Sequence, residues 1–421
     1  MKVAVVSLGC AKNLVDSETL LAKLEESGAK LTADINSADV VVVNTCGFIE
    51  EAKEESLQTV SHILSAGKRV IVMGCLVERY KEELKKSLPQ VEAFFGTESW
   101  EEVVYSLDLK VKRKGKKRLL STAGYAYVKV GEGCNRLCSF CTIPAIRGRY
   151  RSRSVEDIVS EVISLTEEGI KEINLISQDT TYYGKDNGEN LVKLLEKLER
   201  IKGIHWIRLL YLYPAEVSED LISFIKNSQK VLPYFDIPLQ HISDRILKSM
   251  RRGYNEKFIR NLIYKIRKEI PQAVLRTTFI VGYPLEEEKD FLRLLSFVEE
   301  GHFHWLGVFA YSAEKGTYAY DLGDPIPPSV KEERGEELIN LQRKISAGKN
   351  REFIGKTLEV LVEGYCDENP FIPQGRAYLH APEVDGFVYI DTKGKQIKKG
   401  DMVKVLINQS SDYDLGGVLI K

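Results

Sequence analysis

The sequence predicts a multidomain α/β chain. It has an N-terminal parallel α/β sheet domain, a central partial (βα)6 barrel and a small all-β barrel at the C-terminus. Three observations carry this. The 421 residues are too many for a single hydrophobic core. Apolar runs of strand length alternate with amphipathic helical stretches in two blocks, divided by the basic run KVKRKGKKR at residues 110–118. From about Ile354 the helical pattern stops, and short strands between Gly, Pro and Asp turns take over.

The elements follow in chain order. KVAVVSL, ADVVVVN and KRVIVMG read as strands, and ADVVVVN is apolar throughout, as strands covered on both faces are. The helix NLVDSETLLAKLEESG places Leu14, Leu20, Leu21 and Leu24 on one side. FIEEAKEESLQTVSHILSAG and LVERYKEELKKSL complete a βαβα rhythm over residues 1–109. Residues 110–123 read as a basic linker. Its first nine residues hold seven Lys or Arg and one Gly, and suit a solvated tether or a contact with an acidic surface such as ribosomal RNA. Residues 124–350 begin with YAYVKV and continue with the strands KEINLIS, HWIRLLYL, VLPYFDI, AVLRTTFIV and FHWLGVFAYS. Six βα units fit, short of a full eight. The polar helix PPSVKEERGEELINLQRKISAGKNREF closes this block. Residues 351–421 hold TLEVLVEGY, GRAYLH, DGFVYID and DMVKVLIN, a small β-barrel without helices.

Bulk properties narrow the function classes. Hydrophobic residues make up 43%, charged residues 29%, and the net charge is −1, so nothing global advertises nucleic acid. No apolar run approaches the ~20 residues of a membrane span. MKVAVVSLGC reads as a core strand, not a signal peptide. A cytoplasmic protein is expected, and there clustered cysteines point to metal or redox chemistry, not disulfides.

There are seven cysteines. Cys134, Cys138 and Cys141 lie in GEGCNRLCSFCTIP with C-x3-C-x2-C spacing. Cys10, Cys46 and Cys75 are far apart, yet each directly follows one of the first three apolar runs. Residues just past the C-termini of parallel strands gather along one sheet edge, so these three are expected to converge. Cys366 stands alone in the C-terminal barrel and reads as structural. A structural zinc site needs four ligands, and neither set supplies a fourth Cys or a nearby His. A four-iron cluster on three thiolates leaves one iron open to a substrate, and that fits both sets.

The spacing C-x3-C-x2-C after a first barrel strand, with Phe140 just before the third Cys, resembles the radical S-adenosylmethionine (SAM) superfamily. The three-part chain as a whole is similar to the methylthiotransferases, whose C-terminal barrel is a TRAM domain. SLGCAKNLVDSE, GCLVERY, RGRYRSRS, LRTTFIVGYP and YSAEKGT carry that likeness. NTCGFIEEAKEES, SQDTTYYG and YFDIPLQH lean towards the RimO branch, which adds a methylthio group to the β-carbon of an aspartate in small-subunit ribosomal protein S-twelve. Ile242 and Leu285 depart from the family pattern, and neither is a cluster ligand.

The resemblance implies two [4Fe–4S] clusters, one on Cys134, Cys138 and Cys141 to cleave SAM, the other on Cys10, Cys46 and Cys75 to carry the sulfur. It also implies an electron donor such as ferredoxin or flavodoxin, and S-twelve or the small ribosomal subunit as partner. Phe140 is expected against the adenine or as a core aromatic. Gln178 and Asp179 follow a barrel strand and belong to the catalytic rim. Arg208 and Arg276 sit in apolar strands and must be paired, either with SAM or in structural ion pairs. Gln240 is expected at the ribose. His241 reads as a hydrogen-bonded loop histidine. From Arg351 to Lys421 there are nine Lys or Arg and eleven Asp or Glu, a balance of −2. That suits a basic protein substrate better than tRNA phosphates. A tRNA-adenosine methylthiotransferase is the alternative, and an iron–sulfur ribosome- or RNA-binding protein is the reading from another class.

Overall fold

The computed structural model describes residues 1–111, 118–366 and 368–420. Two compact units are present. One comprises residues 1–121 with 132–136 and 141–151, the other 122–131, 137–140 and 152–421.

In the first unit five parallel strands run in the order Lys30–Leu31, Lys2–Ser7, Val40–Thr45, Arg69–Gly74, Ala93–Phe95. Three are the apolar runs of the sequence. The other two are edge strands of two and three residues, too short to carry a periodic signal. Val40–Thr45 is buried along its whole length. Alternation explains why. Val41 and Val43 pack with Val60, Ile63 and Leu76 on one face, while Val40 and Val42 pack with Leu20, Leu24, Val103 and Val104 on the other. Each such valine contributes about 1.5–3 kcal/mol by leaving water, so a polar residue in place of any of these four would weaken one of the two layers.

The predicted linker is only partly accessible to description, because residues 112–117 lie outside the described residues. Its end is no tether. Arg118 is buried and pairs with Glu18 of the helix Ala11–Glu26, at 3.7 Å. The backbone N–H and hydroxyl of Ser121 both donate to Glu18 Oε1, at 2.9 Å each. Glu18, on a face that periodicity marks as polar, is the buried anchor that docks this segment.

In the second unit six parallel strands pair in sequence order: Tyr125–Lys129, Glu172–Ile176, Trp206–Leu209, Val231–Asp236, Val274–Val281 and Trp305–Ala310. This is the expected partial barrel. Its helices begin where side-chain caps occur. Ser154, Asn190, Ser218 and Asn255 each accept backbone N–H groups of the turn that follows. After the helix Pro328–Arg351, five strands close a small barrel in the order Thr357–Tyr365, Pro373–Arg376, Val388–Asp391, Leu415–Leu419, Met402–Ser410.

The small barrel meets the starts of the sheet strands through buried ions. Arg208 and Arg276 both take part in this meeting. Arg208 is fully buried. Its Nε donates to Glu172 Oε1 at 2.9 Å and its Nη1 to the Tyr378 carbonyl at 2.8 Å. Glu172 also takes Arg376 Nη2 at 2.6 Å. Arg276 Nη1 donates to Asp236 at 3.1 Å, and its Nε lies 3.5 Å from Asp385. Both arginines thus make ion pairs with carboxylates of the chain itself, the structural alternative of the two that the sequence left open. Glu172 opens its strand, so Arg208 reaches back to the strand start, away from the rim that follows the strand ends. Burial opposes the charge on Glu172, but its two arginines outweigh that and hold its carboxyl below the usual range.

Candidate functional site

The first thiol set lies wholly in the first unit. Cys10 precedes the helix Ala11–Glu26, Cys46 directly follows Val40–Thr45, and Cys75 opens the helix Cys75–Ser87. Two glycines show how closely these loops meet. Gly9 has φ +90°, and a Cβ there would sit 2.8 Å from Cys46 Cβ and 3.1 Å from its Sγ. A Cβ on Gly47 would lie 2.6 Å from the Cα of Leu76, the neighbour of Cys75. The dipeptides Gly9–Cys10 and Cys46–Gly47 are therefore a packing requirement that lets three strand ends converge.

Asn13 ties this edge together. Its Nδ2 donates to the carbonyls of Leu8, at 2.9 Å, and Thr45, at 3.2 Å. Its Oδ1 accepts Arg147 Nη2 at 2.6 Å. Arg147 is buried and also donates to Cys75 Sγ at 3.3 Å, to Asp16 at 3.2 Å and to Glu132 at 3.0 Å. Burial pushes the Cys75 thiol up to about 12, while Arg147 works in the opposite direction. Cys46 is raised too, mainly by burial, against the backbone N–H of Phe48. A metal that binds such thiols must displace their protons.

In the second set, Cys134 is buried, and its sulfur accepts the Arg136 backbone N–H at 3.4 Å. Cys138 Sγ accepts Arg252 Nη1 at 3.2 Å. Arg252 is buried as well. It donates to the Pro238 carbonyl at 2.8 Å and to Tyr254 Oη at 2.7 Å, and its guanidinium lies 4.7 Å from the centre of the Tyr213 ring. The turn after Cys138 is pinned. The Ser139 N–H donates to the Met250 carbonyl at 3.1 Å, and its hydroxyl lies 3.0 Å from Tyr283 Oη. Phe140 is partly buried and packs against the cluster that includes Ile246, Met250, Ile280 and Tyr283.

The remaining candidates sit past strand ends. Asp179 is buried and accepts the Thr181 hydroxyl. Gln178 immediately precedes it, just past Glu172–Ile176. Gln240 holds φ +71°, a strained value for a residue with a side chain, and its backbone bridges to Phe279. His241 is fully buried. Its Nδ1 accepts the Ser243 N–H at 2.9 Å, so its Nε2 carries the proton and donates to Glu286 at 3.3 Å. That is the structural loop histidine expected.

Two residues escaped the sequence reading, Arg147 and Arg252, each hydrogen-bonded to a candidate cluster sulfur. Among the described residues, no three Cys, His, Asp or Glu side chains crowd closely enough to hold a single ion.

Comparison with known proteins bears on the whole chain. Residues 2–96 match the uncharacterized protein family UPF0004, residues 128–298 the radical SAM superfamily, and residues 354–420 the TRAM domain. The solved structure of TsrM from Kitasatospora setae, a radical SAM methyltransferase, superposes with a TM-score of 0.55 at 15% identity over 73% of this chain and 72% of that one. The cobalamin-dependent radical SAM enzyme OxsB gives 0.52 at 13% identity, over 82% and 56%. These likenesses show the fold. The match of residues 128–298 to the radical SAM superfamily, with the C-x3-C-x2-C loop after the first barrel strand, defines a radical SAM enzyme, a class built around a [4Fe–4S] cluster and SAM. The ribosomal protein uS12 methylthiotransferase RimO of Aquifex aeolicus is 62% identical over 419 residues, 99% of this chain and 97% of that protein. The RimO protein of a Sulfurihydrogenibium species is 45% identical over 99% of each. The chain belongs to the RimO family of methylthiotransferases.

Proposed function

We propose that this protein adds a methylthio group to the β-carbon of an aspartate in ribosomal protein uS12. The observation that carries the reading is 62% identity over nearly the full length to a uS12 methylthiotransferase. Two separate three-thiol sets support it. Cys134, Cys138 and Cys141 would hold one [4Fe–4S] cluster and Cys10, Cys46 and Cys75 a second, each leaving one iron for an outside ligand. When bound, the clusters and SAM supply what side chains lack: one-electron cleavage of a sulfonium, a radical able to open an unactivated C–H bond, and a transferable sulfur.

The chain's own residues do the rest. Arg147 and Arg252 donate to Cys75 and Cys138, fixing the sulfurs in orientation and dispersing their negative charge. Pinning of the Ser139–Phe140 turn keeps Cys138 from swinging away. Gln178, Asp179 and Gln240, past the strand ends, are the proposed contacts to SAM or substrate. The strain at Gln240 is the backbone signature of a site that holds its geometry against local preference. Partners follow from the reaction: uS12 or the small ribosomal subunit, and a one-electron donor of the ferredoxin or flavodoxin class, all in the cytoplasm. Among the described residues no helix is long and apolar enough to cross a membrane.

A substrate competition tests this reading. Both clusters are reconstituted anaerobically, and SAM, sulfide and reductant are added. The aspartate-containing loop peptide of uS12 and an adenosine-containing anticodon stem-loop are offered in one tube. A methylthio mass gain on the peptide alone is expected. A gain on the RNA alone assigns the chain to tRNA, and 5′-deoxyadenosine without either product leaves a radical SAM enzyme of another substrate.

A further inference from the structure

Radical chemistry at Cys138 needs an electron from outside the chain, and one surface beside Cys138 is built to receive it. Leu137, the residue before Cys138, is 72% exposed, so the cysteine loop reaches the surface of its unit. Nearby opens a groove of about 670 Å³ lined by Lys248, Arg251, Gly253, Tyr254, Asn255 and Phe258. Its wall connects inward through unbroken contacts. The rings of Phe258 and Tyr254 stack with centroids 6.1 Å apart, Tyr254 Oη accepts Arg252 Nε at 2.7 Å, and Arg252 Nη1 donates to Cys138 Sγ at 3.2 Å. The groove thus lies two residues from a candidate cluster sulfur. Electron transfer through protein falls steeply with distance, so this proximity selects among surfaces.

Charge completes the case. The lining holds two cations and no carboxylate. Two acids of the flanking helices, Asp244 and Glu256, are engaged elsewhere. Asp244 accepts the Glu256 backbone N–H, and Glu256 itself is paired with Arg260 and Arg293. Arg251 holds φ +56° just past the helix Asp244–Ser249, where glycine is the relaxed choice. Its guanidinium lies flat on Tyr318 at 4.1 Å, which holds it in place at the surface.

We infer that this groove is the docking site of a small acidic one-electron carrier protein. The inference rests on the proposed cluster at Cys134, Cys138 and Cys141. One electron leaves the reduced cofactor of the carrier and one enters the centre that Cys138 helps to hold. No proton moves and no bond changes in the carrier step. Attraction between the basic groove and an acidic partner raises the encounter rate by ten-fold or more and weakens with salt.

The test uses the holoenzyme, its Lys248→Glu/Arg251→Glu variant, and flavodoxin as carrier. Binding of oxidised flavodoxin is measured by calorimetry at low and high salt. SAM cleavage without protein substrate is followed as 5′-deoxyadenosine, driven by reduced flavodoxin or by dithionite. The expected result is binding weakened at least ~10-fold, with a flattened salt dependence. Cleavage with flavodoxin should slow by a similar factor while cleavage with dithionite is unchanged. Equal losses with both reductants would place the groove in the catalytic machinery and overturn the proposal. No loss with flavodoxin would place docking elsewhere and do the same. If the parent protein cleaves no SAM with either reductant, the proposed cluster reading fails, and the calorimetry alone then decides the docking site.

Discussion

Two buried arginines touch candidate cluster sulfurs in this molecule, and their surroundings differ. Arg147 donates to Cys75 and is held by Asp16, Glu132 and the Asn13 amide. Arg252 donates to Cys138 and is held by a carbonyl, a phenol and the face of Tyr213, with no carboxylate. The first cation is neutralised twice over before it reaches its sulfur, while the second presents its charge to Cys138 largely undiluted. A cation beside a cluster favours the reduced, more negative form. The difference therefore matches two tasks. In the proposed function the Cys138 centre would accept an electron, and the Cys75 centre would hold sulfur without being driven to change its charge. One device, a guanidinium on a thiolate, is tuned by what stands behind it.

The largest effect is expected where carboxylates would be stranded. Arg147→Leu leaves Asp16 and Glu132, with side chains 2% and 8% exposed, without their shared cation. Losing one partner of a buried ion cluster costs about 3–5 kcal/mol. Urea unfolding of the cluster-free protein reads this directly. A loss under ~1 kcal/mol would mean that the carboxylates are content without Arg147, and the contrast with Arg252 would collapse.

Arg252→Leu strands no carboxylate, so its stability cost should be smaller, about 1–3 kcal/mol for the lost charged hydrogen bonds. Its signature lies elsewhere. In a background with Cys10, Cys46 and Cys75 replaced by Ala, a redox titration followed by electron paramagnetic resonance isolates the remaining centre. Loss of ~1.4 kcal/mol of preference for the reduced form lowers its potential by ~59 mV for one electron. The matching experiment on Arg147, with Cys134, Cys138 and Cys141 replaced instead, should give a clearly smaller shift. Equal shifts would show that Asp16 and Glu132 do not screen Arg147.

Neither arginine was legible in the sequence, and the reason is physical. Arg147 opens RGRYRSRS and Arg252 sits in MRRG, where composition marks every Arg as solvated. What buries them are partners 131 and 114 residues away in sequence, Asp16 and Cys138. The expected cysteine convergence was legible because it needs only strand ends and a parallel sheet, both written in the apolar runs. Arg208 and Arg276 show the intermediate case. Their strands could be located from sequence, but the direction of the side chains depends on Arg376 and Asp385 from the small barrel, which no local pattern reveals. Asn13 and Glu18 fail for the same reason as Arg147, since a polar residue on a helix reads as exposed until a distant loop covers it.

A third effect is expected on acid stability, and it separates the sulfur sites from the rest of the fold. Guanidinium groups stay charged through the working range, so neither arginine contributes a pH limb between about 3 and 7. His304 does. Burial first, then the cations Lys349 and Arg267, push its pKa down to about 3 from an ordinary value near 6.5. The folded-state pKa is depressed, so the unfolded chain takes up the proton first. Stability is complete above about pH 6.5 and falls as the pH drops towards 3, by up to about 1.4 kcal/mol per unit. Unfolding at pH 7.5, 6 and 5 should show this slope in the parent protein and a flatter one in His304→Gln. The Arg252→Leu protein, which strands no carboxylate, should keep the parent slope while differing in absolute stability. A slope that changes with Arg147 and not with His304 would assign the acid limb to Asp16 and Glu132, and the carboxylates behind Arg147 would then be the group that sets how this molecule answers acid.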